Sequence, residues 1–208
     1  MNIEVKNSAK AVDYIESMKI LEQRVLDVLS GKKRELLWVL EHKSVYTAGS
    51  SSNKFDLIDN NINIIKTNRG GKHTYHGPGQ KVVYFVLNLN KREKNIRKLL
   101  NNIEECIINI LKDFNIKSHA DRKNIGIWIR KNNNLYKIAA IGIKVKRWIA
   151  YHGFALNVSN NLEKYKAIIP CGIQDVKITS LNSLGIKNYK KINNIIINKF
   201  LKTFLEEI

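Results

Sequence analysis

Arg69-Gly70-Gly71-Lys72-His73-Thr74-Tyr75-His76-Gly77-Pro78-Gly79-Gln80 stands between two short apolar runs, Ile62 to Thr67 and Val82 to Leu89, that read as strands. The stretch holds four of the eleven glycines, one of the two prolines and two of the five histidines. Glycine at this density marks a backbone that needs positive φ or lets another molecule lie close against it. A turn accounts for Gly77-Pro78-Gly79, and a binding loop accounts for the polar groups of Arg69, His73, Thr74, Tyr75 and His76; the residues leave both readings open. The glycine spacing is not that of a dinucleotide fold, and no Gly-Lys-Ser/Thr follows, so nucleotide phosphate is not the natural guest.

Working outward, Val12, Ile15, Met18, Leu21, Val25 and Val28 recur at three- and four-residue steps, which predicts an amphipathic helix from Ala9 to about Leu29 with Gly31 as its stop. Glu35 to Glu41 compresses five apolar residues into a run too short for a free helix, so a strand buried on both faces is expected. His42 to Asn53 reads as a loop. Ile96, Leu99, Leu100, Ile103, Ile107, Leu111 and Phe114 form one helical stripe between Arg92 and Asn115, with Cys106 beside it as a small core residue. Ile125 to Arg130 and Leu135 to Lys146 flank the polar turn at 131–134 and predict a hairpin, extended by a third strand to Val158. A closing helix is expected from about Lys191 to Leu205. Strands outnumber helices without regular βαβ alternation. The expected class is therefore α+β, a mixed β-sheet with packed helices, within one domain spanning residues 1–208.

The chain carries a net charge of +18, which suits an acidic partner such as nucleic acid, an anionic membrane or an acidic protein. The lysines are spread along the whole length, Lys, Ile and Asn are all abundant as in an AT-rich coding sequence, and no RNA-recognition or zinc-finger spacing occurs, so nucleic acid is not the expected partner. No apolar run reaches the roughly 20 residues that span a bilayer. The opening residues carry no apolar signal core, which predicts a cytoplasmic protein with no membrane partner. The two cysteines, Cys106 and Cys171, are read as free thiols.

Cys171 is set between Pro170 and Gly172, which break regular structure and leave a thiol at the end of an element. A nucleophile needs that access and also a base or a cation, because a free thiol titrates near ~8.5. A structural thiol or a metal ligand remains an alternative, although no Cys-x-x-Cys is present. Lys137 lies in Lys-Ile-Ala-Ala-Ile-Gly on an expected central strand, where an ammonium is costly unless paired or functional. Snorkelling to the sheet edge is the other reading.

Taken in order, Arg69 to Gln80, Lys137 to Gly142, His152-Gly153-Phe154-Ala155-Leu156-Asn157 and Ile169-Pro170-Cys171-Gly172 resemble the motifs of the lipoyl(octanoyl) transferases, the lipoate biosynthesis protein B (LipB) family. Glu41 to Gly49 is similar to that family's first motif. The resemblance implies the catalytic fold shared with biotin and lipoate protein ligases, and an acyltransferase that needs neither cofactor nor metal. It implies Cys171 as the nucleophile that takes an octanoyl group from octanoyl-acyl carrier protein as a thioester. It implies Lys137 as the group that lowers the thiol pKa and moves protons. Arg69, Gly70, Gly71, Lys72, His73, Thr74, Tyr75 and His76, with Ala140, Ile141, Gly142, Gly153, Phe154 and Ala155, match the stretches that line the acyl site. The implied acceptors are lipoyl domains of 2-oxoacid dehydrogenase complexes and the glycine cleavage H protein. An ATP-dependent ligase of the same fold, a basic nucleic-acid-binding protein and a papain-like hydrolase are the competing readings.

Overall fold

The structure is a computed structural model that describes residues 2–172 and 176–205, the side chain of Cys171 excepted. In chain order its elements are β1 (Ile3–Asn7), α1 (Tyr14–Leu29), β2 (Glu35–Leu40), β3 (Val45–Ala48), β4 (Ile64–Lys66), β5 (His73–His76), β6 (Gln80–Asn88), α2 (Ile96–Lys112), β7 (His119–Ala120), β8 (Ile127–Lys131), β9 (Asn134–Lys146), β10 (Ile149–Asn157), β11 (Lys177–Ile178) and α3 (Ile192–Leu205). Among the described residues the large sheet runs β1, β2, β6, β10, β9, β8, β7, with β11 also beside β9. The smaller sheet runs β4, β3, β5. Parallel pairs (β1 with β2, β11 with β9, β3 with β4) sit among antiparallel ones, so the sheet is mixed and the class is α+β.

Both faces of the large sheet are covered, which explains the unbroken apolar runs. Leu36, Trp38 and Leu40 of β2 and Val82, Tyr84 and Val86 of β6 face α1 through Leu21, Val25 and Val28. The alternate residues Leu37, Val39, Val83, Phe85 and Leu87 pack with α2 and α3, where Leu99, Ile103, Ile107, Ile196, Phe200 and Phe204 are buried. Each fully buried side chain of this size contributes roughly 1.5–3 kcal/mol. Cys106 lies in this core, and burial pushes its thiol up to about 12.

Helix ends follow local polar groups. The Asp13 carboxylate accepts from the Glu16 N–H and the Asn95 side chain from the Lys98 N–H, which places the starts of α1 and α2. Thus α1 begins at Tyr14 and not at Ala9: the Val12 backbone is engaged with Glu41 and Lys43. The β8–β9 hairpin turns on Asn132 and Asn133, at φ 48° and 58°, the left-handed pair a two-residue turn requires. Among the described residues no helix is long and apolar enough to cross a membrane.

Two further expectations are corrected. The stretch from His42 to Asn53 is not all loop, since Val45–Ala48 is the middle strand of the smaller sheet. His73–His76 within the glycine-rich stretch is likewise a strand, paired with β3 from Val45↔His76 to Ala48↔His73. Tyr75, Tyr165 and Ile168 give this sheet its own buried cluster, and that packing overrides the loop-like composition. The edge strand β1 was not expected from its sequence; only Ile3 in it is buried.

Candidate active site

β9 is shared lengthwise. From Asn134 to Ala139 it pairs with β8, and from Ala139 to Lys146 with β10. Where β8 stops, the Gly70 N–H donates to the Ile143 carbonyl at 3.2 Å, so the Arg69–Gly71 bend takes a place on β9. That approach demands glycine on both sides: a Cβ on Gly142 would stand 2.9 Å from the Gly70 oxygen, and one on Gly70 2.9 Å from the Ile143 oxygen. On the facing strand the register pairs Gly153 with Gly142 and Ala155 with Ala140. This ladder of small residues helps line a cavity of about 560 Å³, walled further by Val82, Tyr84, Leu100, Ile141, Ile143 and Phe154.

Of the residues expected at an acyl site, Arg69, Gly70, Gly71, Lys72, His73, Thr74, His76, Ala140, Ile141, Gly142, Gly153, Phe154 and Ala155 all line this cavity, together with Lys137. Tyr75 is not among the lining residues; its ring packs against Tyr46 and Tyr165 in the smaller sheet's core. Cys171 belongs to a 3-10 turn, Pro170–Gly172, and its side chain lies outside the described atoms. The turn is beside the cavity: a Cβ on Gly172 would overlap the Lys72 amine.

Arg69 organises the bend. It is buried, and its guanidinium donates to the carbonyls of Gly70 (3.0 Å), Thr47 (3.0 Å) and Lys72 (2.8 Å) and to Thr47 Oγ1 (2.8 Å). It thereby ties β3 to the stretch that precedes β5.

His42, His73, His76 and His152 are neutral at physiological pH, each held below the usual histidine value first by burial. His76 donates from Nδ1 to Gln80 Oε1 at 2.7 Å, and His152 from Nε2 to Asn68 Oδ1 at 2.7 Å. Each is lowered to about 3, first by burial; His42 and Arg69 add to the effect at His76, and Arg69 and Lys144 at His152. Burial also lowers His42, whose Nδ1 donates to the Val12 carbonyl and whose Nε2 accepts from the Tyr84 hydroxyl at 2.8 Å. Tyr14, His42, His76 and Tyr84 pack ring to ring, His76 and Tyr84 facing the cavity. Positive charge at the cavity therefore comes from Arg69, Lys72, Lys123 and Lys137 among the described lining residues.

Lys137 is 3% exposed. Its Nζ donates to the Ile125 carbonyl at 2.7 Å and sits 5.1 Å from the centre of the Trp128 ring, two contacts that suit a charged amine. The supporting turn is itself pinned. Asp121 Oδ1 accepts from the Lys123 N–H at 2.8 Å, its Oδ2 accepts from the Asn124 side chain, and the Trp128 indole donates to the Asn124 carbonyl at 2.8 Å. Gly126, at φ +140°, follows; a Cβ there would stand 2.7 Å from the Ala139 oxygen and would collide with Lys137 Cε. Sequence reasoning missed this support, although an Asp-x-x-Asn turn and a glycine directly before a strand are a readable signal. Lys72 is held otherwise, by Asp56 at 3.2 Å.

Comparison with known proteins places the chain. The lipoyl protein ligase A/B catalytic domain model matches residues 13–208. The octanoyltransferase of Ehrlichia chaffeensis is 42% identical over 205 residues, 97% of this chain and 96% of that protein. The octanoyltransferase of Anaplasma phagocytophilum is 42% identical over 207 residues, 98% of this chain and 100% of that one. Among solved structures, a bi-partite lipoate protein ligase from Thermoplasma acidophilum superposes with a TM-score of 0.72 at 13% identity, covering 98% of this chain and 85% of that chain. Lipoate-protein ligase A bound with ATP does so with a TM-score of 0.73 at 14% identity, covering 97% and 86%; these two likenesses speak for the fold. The chain belongs to the lipoyl protein ligase A/B catalytic domain family, on its lipoate biosynthesis protein B side, and is an acyltransferase.

Proposed function

We propose that the protein moves an octanoyl group from octanoyl-acyl carrier protein to one lysine of a lipoyl domain, through a thioester on Cys171. The observation that carries this reading is an apolar cavity floored by paired small residues, with the buried amine of Lys137 on its wall and the Pro170–Gly172 turn beside it. The kinship with octanoyltransferases supports the acyl length. Residues 1–208 act as one catalytic domain, in the cytoplasm.

In the first half-reaction the Cys171 thiolate attacks the donor's thioester carbonyl. A new C–S bond forms, the carrier's C–S bond breaks, and the departing thiolate takes its proton from Lys137. In the second, the acceptor amine attacks the enzyme thioester, a C–N bond forms, and the Cys171 C–S bond breaks. Lys137 takes the amine's proton, which leaves Cys171 as the thiolate for the next turnover. No phosphate activation is required, since the acyl group arrives already as a thioester. The Arg69–His76 stretch with Ala140–Gly142 and Gly153–Ala155 holds the chain. The glycine cleavage H protein and the lipoyl domains of 2-oxoacid dehydrogenases are the proposed acceptors.

Intact mass of wild type, Cys171→Ser and Lys137→Ala, after octanoyl-acyl carrier protein and then apo lipoyl domain, tests this. A hydroxylamine-sensitive octanoyl adduct that discharges to the domain is expected on wild type and lost or strongly slowed in both variants. Wild type that forms no adduct ends the thioester reading.

A further inference from the structure

Several of the residues that line the cavity reach solvent, and one group of them is apolar. Ile96 and Ile125 line it and yet are each 47% exposed, and Lys123 beside them is exposed as well. Ile96 comes from the first turn of α2 and Ile125 from the turn before β8, so two segments distant in sequence meet to set an apolar lip at the entrance. Partly buried Leu100 continues it inward.

The lip is collared by cations. Residues 94–98 and 121–125 contain Lys94, Arg97, Lys98, Arg122 and Lys123 against a single acidic residue, Asp121. Asp121 is committed to the turn, where it accepts from the backbone of Lys123 and the side chain of Asn124. Glu93 lies just outside and is paired with Lys98 at 3.0 Å. Half-buried Glu104, further along α2, feels the charge of Arg122. Arg97, Arg122 and Lys123 are left exposed around two exposed isoleucines.

We infer that this lip is the landing site of the acyl donor: an acidic carrier domain that presents its fatty chain as a thioester on an extended arm. The inference rests on the proposed transfer. The donor and not the acceptor is assigned because the donor arrives with the chain still attached and must seat where an apolar chain enters the cavity. The acceptor brings only an amine to a chain already inside. Exposed apolar side chains within a cationic collar fit a carrier whose acidic surface surrounds the attachment point of its arm.

The test reverses charge at Arg97 and Arg122, neither of which lines the cavity. R97E/R122E is compared with wild type in three reactions: loading of Cys171 from octanoyl-acyl carrier protein, loading from the neutral octanoyl thioester of N-acetylcysteamine, and discharge of the preloaded enzyme to an apo lipoyl domain. The expected result is a loss of about tenfold or more in kcat/KM for carrier loading at low salt, shrinking as salt is raised, with the other two reactions unchanged. Equal losses with the neutral thioester would mean a disturbed pocket and overturn the inference. Loss of discharge to the same degree would mean one landing site shared by both partners and overturn the assignment to the donor. No change in any reaction would overturn it outright. In all three cases wild type still forms its adduct, so the proposed transfer survives; wild type that never loads sinks the transfer itself.

Discussion

Of the three lysines that line the cavity, Lys137 and Lys72 have contrasting surroundings. Lys137 is buried, and its contacts include two neutral groups, the Ile125 carbonyl and the face of Trp128. Lys72 is partly exposed and meets a carboxylate, Asp56 at 3.2 Å. A carboxylate offsets a lysine's field, whereas a carbonyl and an indole hold the amine in place without bringing an opposing full charge of their own. The first arrangement suits a structural tie between segments: Asp56 also accepts the Ile169 N–H through its main chain, next to the Pro170–Gly172 turn. The second suits chemistry at a thiol.

The largest break in this comparison is Lys137→Met, which keeps the bulk and removes the amine. Loading of Cys171 from an octanoyl thioester should fall by roughly 10²–10⁴, the usual worth of a positioned acid–base group, while the melting temperature holds or rises. Gly126→Ala comes next, because its Cβ would collide with Lys137 Cε. Loading should drop about tenfold or more, with backbone strain of roughly 1–3 kcal/mol seen in denaturant melts. Gly31→Ala is the control: at φ +73° it meets nothing within 4 Å, so stability should fall and activity should not.

The neutral histidines sharpen the contrast, since they leave the cationic work to lysine and arginine. His76 and His152 bind a proton near pH 3 when folded and near ~6.5 when unfolded, so the unfolded state binds more protons between those values. Stability is complete above pH 6.5 and declines as the pH falls toward 3, by up to about 1.4 kcal/mol per pH unit for each histidine. Urea melts from pH 7 to 5 should show that slope, and His152→Gln should flatten it. The smallest effect belongs to Asp56→Asn. Asp56 is buried and Lys72 partly exposed, so the change costs stability, while loading rates should stay within a few-fold of wild type. A loss as large as that of Lys137→Met would erase the distinction between the two lysines.

Legibility followed the kind of force at each place. β2, β6, α2 and α3 were readable because burial on one or two faces writes a period into the chain. The cavity-lining glycines were readable because close backbone approach admits nothing else. β3 and β5 were hidden, since their pairing and the Tyr75–Tyr165 contact join residues far apart in sequence. The contact of Lys137 with the Ile125 carbonyl was hidden for a related reason, since a main-chain partner leaves no mark of its own; only the Asp121–Asn124 turn and Gly126 that present it could be read.

Arg69 carries a last consequence. In a chain where lysine far outnumbers arginine, its guanidinium bridges three carbonyls and a hydroxyl drawn from two segments. A lysine has the same charge, but its donors radiate from one atom and cannot reach Thr47 and Gly70 together. Mutational drift toward lysine, tolerable on most of this surface, would here unpin the smaller sheet from the cavity it frames.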